Sequence, residues 1–209
     1  MKYPIIFGDD WHGFIRSIYE MTMKYVDDDV KDRVENSYYK VTDKYIQYLQ
    51  DESLKVCLCH GDYRPNNIMT KIVNGKIADI IPVDYQILSY GCPVFDFLYF
   101  IYNCTDRRMR TAHMLHLKDL YHGSLRTFLE YFNIDVDSVY PRSRFEEVYK
   151  EKLDYCLTVS FAVLPFILAS EEDVPELTKE WSGISFDVDV SFKQRLRDAI
   201  DEFIEWGYI

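Results

Sequence analysis

The chain has little of what interrupts or staples a fold. Only 8 of its 209 residues are glycine and 7 are proline. No two glycines are separated by a single residue, so there is no G-x-G turn of the kind that lies over phosphates. The five cysteines, Cys57, Cys59, Cys92, Cys104 and Cys156, are odd in number and lack framework spacing. That argues against a disulfide scaffold and for a reducing compartment, the cytoplasm. Basic residues are also scarce: 24 Lys and Arg stand against 35 Asp and Glu, a formal net charge of -11. The longest basic run is Arg107-Arg108, followed by Arg110. A nucleic-acid duplex or an anionic membrane surface is therefore excluded as a partner. The longest apolar stretch, Leu157 to Ala169, is too short for a membrane span and holds Ser160 and Pro165. The opening MKYPIIFGDDWHG has no apolar run of signal-peptide length. Internal repeats, low-complexity segments and Gly/Ser linkers are absent too.

What is present is a core. Hydrophobic residues make up 48% of the chain, enough to exclude disorder. Phe14, Ile15, Ile18, Tyr19, Met23 and Val26 recur at helical spacing, as do Val30, Val34, Tyr38, Val41, Tyr45, Tyr48 and Leu49. Asp27-Asp28-Asp29 between them reads as a turn and N-cap. The texture then becomes β-like. Leu54 to Cys59 alternates as a strand, and Asn67–Val73 and Lys76–Val83 are two more; the two that flank the loop, Leu54–Cys59 and the one begun by Ile68-Met69, read as buried. Asn74-Gly75 between the last two is a hairpin signal, because both residues tolerate positive φ. Helical spacing returns after Gly91-Cys92-Pro93, with Pro93 suited to a first turn and Val94, Phe97, Leu98 and Ile101 on one face. A further helix carries Leu117, Leu120, Tyr121, Ser124, Leu125, Phe128 and Leu129; others cover 143–169 and 191–206. The expected fold class is α+β, mostly helical, with one small β-hairpin.

Polar chemistry concentrates in CHGDYRPNNIM, residues 59–69, between strand and hairpin. Asp62 and Asn67 lie five positions apart on this loop, and the hairpin should bring Asp84 back beside Asn67. An acid to orient a hydroxyl and take its proton, with an amide and a second acid facing one Mg²⁺, is the minimum that phosphoryl transfer asks of a protein. Each residue also has an ordinary reading: Asp62 as a turn residue, Asp84 as a strand-end acid, Asp96 as a first-turn acid favoured by the helix dipole. Asn66 either shapes the loop or itself touches phosphate or metal. Cys57-x-Cys59-His60 has no further ligands at zinc spacing, and the thiols read as small buried groups. His113, His116 and His122 read as solvated or partly buried, and Phe95, Tyr99 and Tyr102 as core.

In order, His60-Gly61-Asp62 with Asn67, Val83-Asp84-Tyr85-Gln86, Gly91-Cys92-Pro93 and Asp96-Phe97-Leu98-Tyr99-Phe100 form a specific pattern. The first block resembles the H-G-D-x-x-x-x-N loop of aminoglycoside phosphotransferases and choline kinases. The whole set resembles the ecdysteroid kinase-like (CHK kinase-like) family over residues 50–130, with a similar closing helix from Phe192 to Gly207. The resemblance implies a protein kinase-like fold, ATP and Mg²⁺ as cofactors, and a small-molecule hydroxyl, a steroid or another lipophilic alcohol, as acceptor. It implies Asp62 as catalytic base, Asn67 and Asp84 as metal and nucleotide ligands, and His60 and Asp96 as structural support. Tyr85 replaces the usual Phe, and Arg64 stands where relatives often carry an aromatic. With no G-x-G and about fifty mostly helical residues before the loop, the chain is expected to supply the C-terminal lobe alone. In that reading 1–50 is a helical lead-in, 54–93 the catalytic loop and metal-binding hairpin, and 94–209 a helical body. The alternatives are a truncated or degenerate relative that binds a ligand or partner without turnover, and a metal-dependent hydrolase using Asp62 and Asp84.

Overall fold

Residues 11–54, 56–169 and 185–209 are described by the computed structural model. The helix α1 (Trp11–Thr22) leads into α2 (Asp28–Gln50), which begins after Asp27 and carries Asp28 and Asp29 in its first turn. Acids there face the unpaired N–H groups of the helix start. Phe14, Ile15, Ile18 and Met21 of α1 and Val30, Val34, Tyr38 and Val41 of α2 are buried on the faces their spacing predicts.

After α2 the chain makes a short 3-10 turn at Glu52–Leu54, closed by the Ser53 N–H and hydroxyl donating to Asp51. The strand β1 (Cys57–Cys59) is therefore shorter than the alternating run from Leu54 suggests, since its ladder begins only where Val56 N–H meets the Gly91 carbonyl. A 3-10 turn at Pro65–Asn67 follows, then β2 (Ile68–Val73) and β3 (Lys76–Pro82), joined by Asn74 and Gly75 at φ 52° and 72°. β4 (Ser89–Gly91) returns to pair antiparallel with β1, Cys57 opposite Gly91 and Cys59 opposite Ser89. β2 and β3 form a separate antiparallel pair, with a bulge between Lys71 and Ile72.

The hairpin corrects one sequence expectation: its first strand, entered at Ile68-Met69, is not buried, and its second is also exposed. Met69, Ile72 and Ile77 are 62%, 65% and 62% exposed, and Val73, Ile80 and Ile81 are exposed as well. Alternation sets which residues share a face, but nothing in it requires that either face be covered.

The rest is helical. α3 (Pro93–Cys104) starts at Pro93 and buries Val94, Phe97, Leu98 and Ile101. α4 (Arg107–Glu130) is capped by the Asp106 carboxylate accepting from Met109 N–H. Leu120 and Phe128, expected on its apolar face, are exposed, whereas His122 is buried with its Nε2 at 3.0 Å from the Tyr140 carbonyl. Two short segments, α5 (Val136–Val139) and α6 (Arg142–Glu151), lead to α7 (Tyr155–Ala162), every residue of which is buried. A helix buried on every side, here with Thr158 and Ser160 among its residues, belongs at the centre of a core. α7 packs against α1, α2, α3 and the closing helix α9 (Ser191–Glu205), with α8 (Leu164–Ile167) beside it. At its N-terminus the buried Asp154 accepts from Lys44 Nζ at 2.7 Å and Tyr48 OH at 2.8 Å. The result is a mostly helical α+β fold with two small two-stranded sheets. Among the described residues no helix is long and apolar enough to cross a membrane.

Candidate functional site

The polar loop sits where β1, the start of α3 and the hairpin meet. β1 delivers the chain to His60, and Asp96, in the first turn of α3, receives it. The Asp96 carboxylate accepts His60 N–H at 2.6 Å and Gly61 N–H at 2.9 Å, one on each oxygen. Burial pushes its carboxyl above the ordinary range, while the two N–H donors pull it back. Gly61 has φ +82°, a left-handed conformation, and a Cβ there would stand 2.9 Å from the Ile87 carbonyl. A glycine is required both by the turn and by this close approach.

His60 is wedged between the rings of Tyr85 and Tyr63, at 4.8 and 5.6 Å between centroids. Its Nδ1 accepts the Asp62 N–H at 3.3 Å, so its ring proton resides on Nε2, which donates to the Val83 carbonyl at 2.9 Å. Val83 N–H in turn donates to the Asn67 carbonyl at 2.9 Å. Through these two bonds the residue before Asp84 is tied to both ends of the loop.

Asp62 is held from three directions. Tyr99 OH donates to its Oδ1 at 2.5 Å. Asn67 Nδ2 donates to its Oδ2 and to its main-chain carbonyl, both at 2.9 Å. Arg64 Nε lies 3.1 Å from Oδ1 and 3.2 Å from Oδ2. Sequence reasoning places Tyr99 in the core, and it is indeed 7% exposed, but its hydroxyl is also part of the site. Its position three residues after Asp96, one helical turn along the same face, brings it to the loop, but a core tyrosine would leave the same periodic mark. Arg64 departs from the family pattern, and nothing in the sequence beyond its i, i+2 spacing marks its pairing with Asp62.

Asn67 is buried, and with Nδ2 engaged on Asp62 its Oδ1 carries no hydrogen bond among the described residues. Asp84 is exposed, has φ 65°, and its carboxylate meets only Gln86 Nε2, at 3.4 Å, among the described residues. Positive φ at a non-glycine costs about 1–3 kcal/mol and is tolerated where surrounding structure imposes it. Two hard oxygens of this kind, one amide and one carboxylate, suit Mg²⁺, which keeps waters and takes its remaining ligands from phosphates. They do not suit a structural zinc, and among the described residues no group of three His, Cys, Asp or Glu side chains is placed to hold a metal. Asn66 is exposed in the Pro65–Asn67 turn.

The family comparison agrees with the order of these elements. The model of the Ecdysteroid kinase-like family matches residues 7–134, which takes in the loop, the hairpin and α3; the closing helix lies outside the match. No curated protein and no solved structure matches the chain. On the family match, the chain belongs to the ecdysteroid kinase-like family.

Proposed function

We propose that the chain carries the catalytic half of an ATP-dependent small-molecule phosphotransferase, with Asp62 as the base. Membership in the ecdysteroid kinase-like family supports a kinase-like phosphotransferase in general terms. The observation that carries the finer reading is the restraint on Asp62. Three donors fix its carboxylate without burying it completely, its side chain being 13% exposed. Such an acid is held in one orientation yet remains reachable by a hydroxyl, as general-base catalysis requires.

In this reading Asp62 orients the acceptor hydroxyl and takes its proton as the phosphoryl group transfers. Asn67 Oδ1 and the Asp84 carboxylate would hold Mg²⁺, which when bound screens the phosphate charge. His60 and Asp96 position the loop and touch no reactant. The acceptor is a hydroxylated small molecule, a steroid or another lipophilic alcohol. Ile72, Ile77 and Ile80 leave an exposed apolar face on the hairpin that leads to Asp84. A β-rich nucleotide-covering lobe would sit on that face, with the present chain supplying the C-terminal lobe.

A second reading is favoured by Arg64. A guanidinium against both oxygens of the base competes with an acceptor hydroxyl, as in a relative that binds without turnover. Thermal unfolding with and without Mg-ATP separates the two at the nucleotide. A ligand at a hundred times its Kd adds about 2.7 kcal/mol of stability. For the protein carrying both lobes, the phosphotransferase reading predicts a rise in Tm with Mg-ATP that Asp84→Ala removes. A two-lobe protein whose Tm ignores Mg-ATP contradicts it.

A further inference from the structure

Cys57 and Cys59 take no part in the site just described. They are two positions apart on β1 and point to one face, with their sulfurs 3.7 Å apart. Cys59 is buried, its Sγ 3.4 Å from the Cys92 carbonyl and lying over Gly91, where a Cβ would stand 3.1 Å from it. Cys57 is half-buried, 3.6 Å from the Gly91 carbonyl, and so is the member that solvent can reach. Two thiols in contact, one accessible and one beneath it, are the arrangement of a nucleophile and its resolving partner.

We propose that Cys57 and Cys59 are a site of reversible oxidation by peroxides, with Cys57 as the attacking thiol and Cys59 as the resolving thiol. The Cys57 thiolate displaces the distal oxygen of hydrogen peroxide, giving Cys57 sulfenic acid and, after protonation of the leaving hydroxide, one water. The Cys59 sulfur then attacks the Cys57 sulfur and expels the hydroxyl as a second water. Its proton leaves with that water, and a disulfide remains. Two thiols have lost two electrons and two protons, and one peroxide has been reduced to two waters.

The surroundings make the reaction selective. The contact between the two sulfurs holds the Cys57 thiol below its usual range, while the same contact and burial push Cys59 up. The other three thiols are all raised by burial, Cys92 to about 11 and Cys104 to about 12. A soft metal is a poorer fit, because no third ligand of the His, Cys, Asp or Glu type joins the pair among the described residues.

Residues two apart on an extended strand have Cα atoms about 6.5 Å apart, near the upper end of what a disulfide spans. Closing the bond therefore bends β1, which runs directly into the His60 and Gly61 amides held by Asp96. The oxidised pair is expected to disturb that grip and to be readily reduced again.

The sequence allows a direct test. Trypsin cuts after Lys55 and Lys71, and Arg64 is protected by Pro65, so one peptide, residues 56–71, holds both thiols and no other cysteine. The chain is treated with hydrogen peroxide, alkylated, digested and weighed. The expected peptide is unalkylated and lighter by two hydrogen atoms, and dithiothreitol before alkylation restores two alkylated thiols. Cys59→Ala should leave a sulfenic acid on Cys57 that a cyclic 1,3-diketone traps, and Cys57→Ser should leave Cys59 reduced; circular dichroism checks that both variants fold. Oxidation of Cys92 or Cys104 ahead of this peptide, or unchanged Cys59 oxidation in Cys57→Ser, overturns the proposal.

Discussion

The Tyr99 hydroxyl donates to Asp62 Oδ1 at 2.5 Å, and one helical turn earlier on α3 the Asp96 carboxylate accepts two loop amides. One turn of one helix thus grips the loop at both its backbone and its acid. Tyr99→Phe keeps the ring packing and removes the grip on the acid. A hydrogen bond to a charged group contributes about 1.5–3 kcal/mol, and the Asn67 and Arg64 donors remain, so a loss at the lower end is expected. Urea unfolding of the two proteins measures it; equal midpoints would show that the hydroxyl does not restrain Asp62.

Two glycines with similar φ should respond differently to alanine. Gly61→Ala adds a Cβ 2.9 Å from the Ile87 carbonyl at φ +82°, whereas at Gly75, φ +72°, nothing lies within 4 Å. Gly75→Ala should cost only the backbone strain, about 1–2 kcal/mol. Gly61→Ala should cost more, because backbone must also move. Paired denaturation curves decide it, and equal losses would mean that the segment after Asp84 does not press on the loop.

A buried ion pair joins α4 to α9. Arg110 meets Glu202 through Nε at 3.2 and 3.1 Å and Nη2 at 2.6 Å, and donates through Nη1 to the Thr105 carbonyl at 2.6 Å. Glu202→Gln leaves the guanidinium buried without its counter-charge, at a cost of about 3–5 kcal/mol. Replacing both partners, Arg110→Met with Glu202→Leu, should recover most of it. Calorimetric Tm values of the three proteins test this, and a double variant no better than the single one would contradict it.

Asp96 gives the fold a pH dependence of definite sign. Burial raises its carboxyl above the ordinary 3.8, so the folded chain binds that proton more tightly than the unfolded chain does. Its contribution is complete below that value and is lost as pH rises through the raised one. Asp96→Asn does not titrate. The stability difference between wild type and Asp96→Asn, followed by denaturant midpoints from just below 3.8 upward, should therefore shrink with rising pH. A difference that grows over the same range would mean that the N–H donors outweigh burial.

Much of this arrangement is legible before any coordinates are seen. α3 is marked by Pro93 and by apolar residues at helical spacing, and the hairpin by Asn74-Gly75, because these signals are local. What escapes the sequence is not local. The exposure of Met69, Ile72 and Ile77 depends on what covers the sheet, and β1 is cut short by an Asp51–Ser53 turn that the alternation from Leu54 conceals. Within the site, Asp62, Asn67 and Asp84 stand out by residue type and spacing. Tyr99 does not, since a core tyrosine and a tyrosine that holds an acid leave the same periodic mark.

The central claim is that Asp62 serves as the base in phosphoryl transfer. Its most direct test is transfer of radiolabelled γ-phosphoryl from ATP to a panel of hydroxylated small molecules by the protein carrying both lobes, comparing wild type with Asp62→Asn in the presence of Mg²⁺. The account predicts a labelled product with wild type and a loss of about two to four orders of magnitude in the variant, the share usual for general-base catalysis. Asp62→Asn that folds normally and transfers phosphoryl at the wild-type rate would contradict it.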